Sequence, residues 1–259
     1  MFIEYKETTI FYTDNGQGKA VVLLHGFLEN SAMWKPFIPP LTIKNRVITI
    51  DLLGHGKTGC LGYIHTMELM AEAVNAVLTH LNIKDITIIG HSMGGYVALA
   101  LAEKKPGIIK GLCLMNSTAN GDSLEKKANR DRAVLTVKRN HKTFIRIAIS
   151  NLFNQKNRTL FSEDIEKIIE QAQKTPLQGI IAALEGMKIR KDRQILFKNA
   201  NYKKLLIASI EDPVLNYKFL VSQTKNTDIE VVSLPDGHMS YIENKNEFLL
   251  KIMLFIEKL

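Results

Sequence analysis

Apolar positions along the chain follow two periods that alternate. Residues 20–24, 47–52 and 86–89 are continuous apolar or β-branched runs, the pattern of strands buried on both faces. Residues 9–13 alternate and are followed by Asp14-Asn15-Gly16, a turn signal that predicts an antiparallel pair leading into 20–24. Between the runs, Met67, Met70, Ala71, Val74, Val77, Leu78 and Leu81 recur at helical spacing, with Thr66 placed as N-cap. Met93–Lys104 reads as the next helix and Ile109–Met115 as the next strand. Strands alternating with helices predict an α/β protein with a mostly parallel central sheet flanked by helices.

Near residue 117 the pattern changes, and no strand-like run recurs until Leu205. Residues 143–152 and 163–173 carry apolar residues at helical intervals, and Pro176 and Gly179 punctuate the approach to a helix at 180–187. The β/α alternation then resumes with a strand at 205–208, a helix near 214–222, the strand Glu230–Leu234 and a terminal helix over 245–258. This divides the chain into a core of 1–118 and 199–259 around a helical insertion, 119–198.

Composition narrows the class. At 259 residues with 46% hydrophobic and 23% charged positions, the chain can bury a large core and is not a disordered tail. Cys60 and Cys113 cannot form a disulfide framework, and no Cys/His spacing suggests a metal, so a reducing, cytoplasmic setting without structural zinc is expected. The charged start MFIEYKETTI does not read as a signal peptide, and no run of 18 apolar residues suggests a membrane span. Residues 121–200 hold 17 Lys/Arg against 9 Asp/Glu, an excess of eight that equals the formal net charge of the whole chain. With no nucleic-acid motif beside it, the excess reads as a solvated helical face, or else as a cationic entrance for an anionic substrate.

The chemistry concentrates at Gly90-His91-Ser92-Met93-Gly94-Gly95, a GxSxG match directly after a buried strand and before a helix. A tight turn there would expose the Ser92 hydroxyl, with Gly90 and Gly94 sparing side chains where strand and helix converge. The Met93 amide, at a helix N-terminus, is one candidate oxyanion donor. The second is the Phe27 amide in His25-Gly26-Phe27-Leu28, where Gly26 permits close approach and the Phe27 ring could line a pocket. A serine nucleophile needs a base and an orienting acid. His238 follows the last strand in Asp236-Gly237-His238 and is preferred over His25, His55, His65, His80, His91 and His141. Asp212, in Ser209-Ile210-Glu211-Asp212-Pro213, is preferred as the acid over its neighbour Glu211, over Asp51, which precedes Ser92, over Asn116, which cannot supply an anion, and over Asp236, too near His238.

Together with Asp51-Leu52-Leu53-Gly54-His55-Gly56, which resembles a D-x-x-G-H-G stretch, and with Gly237-His238 followed by Glu243, these segments make the chain similar to α/β-hydrolases of the small, cofactor-free serine esterase type. The resemblance implies the α/β-hydrolase fold, an all-helical cap at 119–198, and a Ser92-Asp212-His238 triad acting on a small-molecule ester without cofactor or metal. It also implies substrate contacts from Gly26, Phe27 and Tyr96, the last standing where menaquinone-pathway members of the fold carry a basic residue. Ser92 argues against the Asp nucleophile of haloalkane dehalogenases. A C–C hydrolase, perhydrolase or lyase on the same fold, or a ligand receptor with slow turnover, remains an alternative. No nucleic-acid or membrane partner is expected.

Overall fold

The computed structural model describes all 259 residues. Strands β1 (Phe2–Tyr5), β2 (Thr8–Asn15), β3 (Lys19–Leu24), β4 (Asn45–Ile50), β5 (Ile86–His91), β6 (Ile109–Met115), β7 (Lys203–Ser209) and β8 (Glu230–Leu234) form one sheet in the order β1-β2-β4-β3-β5-β6-β7-β8. β1 and β2 are antiparallel to their neighbours, and the other six strands run parallel. Val21–Leu24 and Ile88–Ile89 are fully buried, as central strands covered on both faces should be.

The antiparallel pair expected between 9–13 and 20–24 does not form. β2 pairs with β1 and β4, and β4 lies between β2 and β3. Both edges of β3 are taken by parallel partners, the arrangement that buries its uninterrupted apolar run on both faces. The turn therefore redirects the chain instead of folding it back. Gly16 and Gly18 adopt φ of 78° and 111°, and a Cβ on Gly18 would lie 2.6 Å from the Lys44 carbonyl oxygen, so these glycines let the start of β4 cross over the connection.

Helices α1 (Ile38–Leu41), α2 (Met67–His80) and α3 (Met93–Lys104) connect the first strands. The Thr66 hydroxyl accepts from the Leu69 amide at 3.0 Å, as its N-cap position predicts, and α2 buries the apolar stripe read from the sequence. Between β6 and β7 come only helices: α4 (Leu124–Ser150), α5 (Ser162–Ala172), α6 (Leu177–Lys188) and α7 (Gln194–Asn199). α4 starts well before the helix expected at 143 because its first half is polar, with only Val134 and Val137 buried there. It breaks at Asn140 (φ −154°, ψ 86°), whose side chain accepts from the Thr143 amide and starts the second half. α8 (Tyr217–Ser222), α9 (Ser240–Glu243) and α10 (Lys245–Glu257) complete the chain. No helix is long and apolar enough to cross a membrane.

The inserted helices dock through backbone-to-backbone contact. Gly179 of α6 packs on Gly54 and Gly186 on the carbonyl of His65, with no room for a Cβ at either glycine. The His65 amide donates to the Ala182 carbonyl at 2.9 Å. Arg193, nearly fully buried, reaches Glu68 and Glu103 of the core at 2.6 and 2.8 Å. The insertion is thereby fixed to the loop after β4 and to α2 and α3.

Candidate active site

Ser92 stands between β5 and α3 with φ 49° and ψ −114°, a strained turn for a residue with a side chain. The turn is held open by its glycines. A Cβ on Gly94 would lie 2.5 Å from the Leu24 carbonyl and 2.7 Å from that of His25, and one on Gly90 would strike the Gly94–Gly95 peptide. Behind the turn the Ser92 amide donates to the Met115 carbonyl, and the Ser117 hydroxyl to the Ser92 carbonyl, at 2.9 and 2.7 Å. The Ser92 hydroxyl makes no capping bond to its own helix.

His238 and Asp212 meet as the sequence predicts. His238 Nδ1 lies 2.8 Å from Asp212 Oδ2, with both side chains at most 3% exposed. Asp212 Oδ1 accepts from the Val214 and Leu215 amides at 2.8 and 3.0 Å, which also explains why α8 begins only at Tyr217. Asn116, at φ 43° just past β6, donates to Asp212 Oδ2 at 3.1 Å and to Ser209, while Ser240 donates to Asn116 Oδ1. Burial pushes the Asp212 carboxyl up, but the facing His238 and the Asn116 and Val214 donors outweigh it and hold it below the ordinary carboxylate value. The His238 ring sits 5.2 Å from that of His91, the residue before Ser92.

The rejected acids have other work. Glu211 is exposed. Asp51 Oδ1 and Oδ2 accept from the Ser31 and Lys57 amides at 2.7 and 2.8 Å and shape the loop over Gly56. Asp236 accepts from Asn157 and Asn244 at 2.8 and 2.7 Å.

The turn after β3 comes alongside the elbow: a Cβ on Gly26 would sit 3.2 Å from Ser92 Cβ. His25 Nδ1 is 2.7 Å from the Gly26 carbonyl and its Nε2 accepts from the Leu52 amide at 2.9 Å, so the proton is on Nδ1 and donates to Gly26. Pinning that carbonyl fixes the opposite side of the same peptide, the Phe27 N–H. Neither the Phe27 nor the Met93 amide donates to any loop, cap or side-chain acceptor, so both can serve an oxyanion. Met93 is fully buried, and the half-buried Phe27 ring meets His55 edge-on at 6.0 Å. Tyr96 is buried one turn into α3 beneath the Arg190 guanidinium, 4.0 Å from its ring centre.

Sequence reasoning met Asn116 only as a rejected acid, and did not find Glu29, Ser117, Ser240 or Tyr241 as parts of this region. Glu29 is buried, with its carboxylate against the Gly26 amide, His91 and the Tyr241 hydroxyl at 2.7, 2.7 and 2.9 Å. Nothing in the pattern marks it except its place three residues past Gly26. The loop carrying His238 is also tied to the insertion: its amide donates to the Leu152 carbonyl at 2.8 Å, and Glu243 accepts from the Asn154 and Gly237 amides and from Asn157. Burial raises the Glu243 carboxyl above its ordinary value, a rise that the Asn157 and Asn154 donors oppose.

Of the basic residues in the first half of the insertion, Arg130 pairs with Asp122 and Arg146 with Glu166. Lys127, Lys138 and Lys142 face solvent. Lys126 differs, being half-buried without a hydrogen-bonded partner; burial lowers its ammonium below the usual lysine value, neighbouring Arg190 adds to this, and Asp122 and Asp212 oppose it. No group of three or more His, Cys, Asp or Glu side chains is arranged to hold a metal ion.

Comparison with known proteins identifies the family of the fold. The alpha/beta hydrolase fold family matches residues 19–245. A thermophilic esterase from Thermogutta terrifontis, solved with malate bound, superposes with a TM-score of 0.91 at 30% identity, covering 97% of this chain and 94% of the esterase. The enol-lactonase of Burkholderia xenovorans LB400 shares the fold, with a TM-score of 0.90 at 20% identity over 99% of this chain and all of the lactonase. An uncharacterised protein of Mycobacterium tuberculosis is 34% identical over 102 residues, 39% of this chain but only 30% of its own length. The chain belongs to the alpha/beta hydrolase fold family.

Proposed function

We propose that this alpha/beta hydrolase hydrolyses carboxylic esters through Ser92, with His238 as base and Asp212 as its orienting acid, in a cytoplasmic setting that keeps its two cysteines reduced. The observation that carries the reading is the buried 2.8 Å Asp212–His238 pair beside a serine held at φ 49° on a strand-to-helix turn. Asp212, anionic and acceptor-only, holds the proton on His238 Nδ1 and leaves Nε2 as the base. His238 removes the Ser92 proton as the hydroxyl oxygen attacks the ester carbonyl; the Phe27 and Met93 amides bind the oxyanion. The imidazolium then returns the proton to the departing alcohol. Water, deprotonated by the same ring, cleaves the acyl-enzyme and restores Ser92.

In this reading α4–α7, approximating 119–198, act as a cap over the site. The preferred substrate is a small or medium ester bearing a carboxylate. Lys126, half-buried and unpaired on the cap, supports that class, as does the malate, a small dicarboxylate, bound to the similar thermophilic esterase. Gly26, Phe27 and Tyr96 would line the acyl side.

Hydrolysis of p-nitrophenyl esters from acetate to laurate, with Ser92→Ala in parallel, tests the assignment. Ser92-dependent multiple turnover is expected. A stoichiometric burst without turnover would replace it with a receptor role, and no Ser92-dependent signal would direct attention to C–C cleavage or elimination.

A further inference from the structure

Beside the elbow lies a buried histidine–glutamate pair that the proposed mechanism does not use. His91 is fully enclosed, and both ring nitrogens face acceptors: Nδ1 is 2.7 Å from Glu29 Oε2 and Nε2 is 3.1 Å from the His238 carbonyl oxygen. A carbonyl can only accept, so Nε2 carries a proton. The proton shared between Nδ1 and Glu29 then resides either on the ring, giving an imidazolium and a carboxylate, or on the carboxyl. Glu29 also accepts from the Gly26 amide on Oε2 and from the Tyr241 hydroxyl on Oε1, and two further donors favour the carboxylate. His91 is therefore doubly protonated. The charged and titratable groups around the pair are His25 and Asp51 on the β3 and β4 loops, His55, Tyr241 on α9, and Asp212 and His238 on the loops after β7 and β8.

These bonds connect three segments far apart in sequence. Glu29 holds the Gly26 amide, one peptide before the Phe27 oxyanion donor. His91 is the residue before the nucleophile. Its other nitrogen holds the carbonyl of the base residue itself. We propose that Glu29 and His91 form a buried ion pair that acts as a positioning device, setting the oxyanion loop, Ser92 and the His238 backbone in one geometry through a single carboxylate. This rests on the serine hydrolase reading above. The His91 and Glu29 side chains are both enclosed, at 1% and 3% exposure, so the role is one of positioning. Glu29→Gln is nearly isosteric: its amide oxygen can still accept from Gly26 and from His91 Nδ1, while its NH2 can donate to Tyr241. Without the anion His91 becomes neutral with its proton on Nδ1, and Nε2 loses its bond to the His238 carbonyl.

The test combines ring ¹⁵N NMR of His91 with kinetics of full-length wild type and Glu29→Gln. At neutral pH wild-type His91 is expected to give the imidazolium signature and the variant a neutral ring. With p-nitrophenyl acetate the variant should lose about tenfold to a hundredfold in kcat with KM nearly unchanged, since misplacing reacting groups by an ångström costs on this order. The second-order rate of Ser92 labelling by a fluorophosphonate should fall in parallel. Circular dichroism and the urea midpoint monitor folding, and Glu29→Asp, which keeps the charge, should recover part of the kcat if Glu29→Gln unfolds or fails to express. A neutral His91 in wild type overturns the ion pair. Wild-type kcat in folded Glu29→Gln, or a loss confined to KM, overturns the positioning role. A wild type that neither turns over nor labels at Ser92 defeats the hydrolase reading and the positioning role with it, while the His91 signal still decides the charge.

Discussion

Gly94 has no side chain because β3 and α3 approach each other there to within a methyl group's width. Gly94→Ala would drive its Cβ to 2.5 Å from the Leu24 carbonyl, a backbone atom that cannot rotate away. The substitution is expected to cost about 1–3 kcal/mol, the range of overpacked cores, in a urea unfolding curve, and to lower kcat by shifting Ser92. Ser92→Ala and Asp212→Asn separate the two halves of the proposed chemistry. The first should abolish the acyl-enzyme burst; the second should keep a burst but slow it by about 10⁴-fold, because an amide can hold the wrong imidazole tautomer. A stopped-flow trace distinguishes them. His55 offers a test of stability. It is wholly buried, its Nδ1 donates to the Leu53 carbonyl at 3.1 Å, and its Nε2 has no partner. Burial, with His25 adding to it, lowers its pKa to about 3. A histidine depressed in the fold takes up a proton more readily when unfolded, so its effect is absent above the unfolded value near 6.5 and destabilises progressively as pH falls towards 3. Between pH 6.5 and 5 this amounts to about 2 kcal/mol of lost stability, which His55→Gln should remove from the pH dependence of the urea midpoint.

Elements differ in how plainly the sequence announced them. β3, β4 and β5 were legible because strands buried on both faces leave nearly unbroken apolar or β-branched runs, and α2 because its stripe and Thr66 cap coincide. The pairing of β2 was not, since a turn signal gives a change of direction but not the partner, and the long-range fit of β4 beside β3 decided it. The first half of α4 buries only Val134 and Val137, so within a segment that reads as basic helices its sparse apolar positions do not mark where the helix begins. The same division holds at the site. Ser92, Asp212 and His238 each follow a strand, and Ser92 lies in a GxSxG match, whereas Glu29, Asn116 and Ser240 act through distances that only the folded chain creates. One such element-level contact is Glu243 on α9, which receives donors from Asn154, Asn157 and Gly237. Glu243→Ala is expected to leave these buried donors unsatisfied, at about 1–3 kcal/mol. Hydrogen exchange should accelerate at residues 152–157 before it does in the sheet.

At the scale of the molecule, charge is unevenly placed, with the whole formal excess inside residues 121–200. If the cap attracts carboxylate-bearing esters, kcat/KM for such an ester should fall steeply between low and physiological salt, while a neutral ester of the same size is unaffected; equal responses would leave Lys126 and its neighbours as solvated surface. Lys126→Met should remove most of the difference between the two esters at low salt. The bond from the His238 amide to the Leu152 carbonyl bears on how a molecule enters at all. A lid that swung away as a rigid body would drag on, or abandon, the very loop that presents the base. If residues 119–198 act as the cap proposed above, entry and exit are expected to move its other helices while the stretch carrying Leu152 stays moored to the base loop.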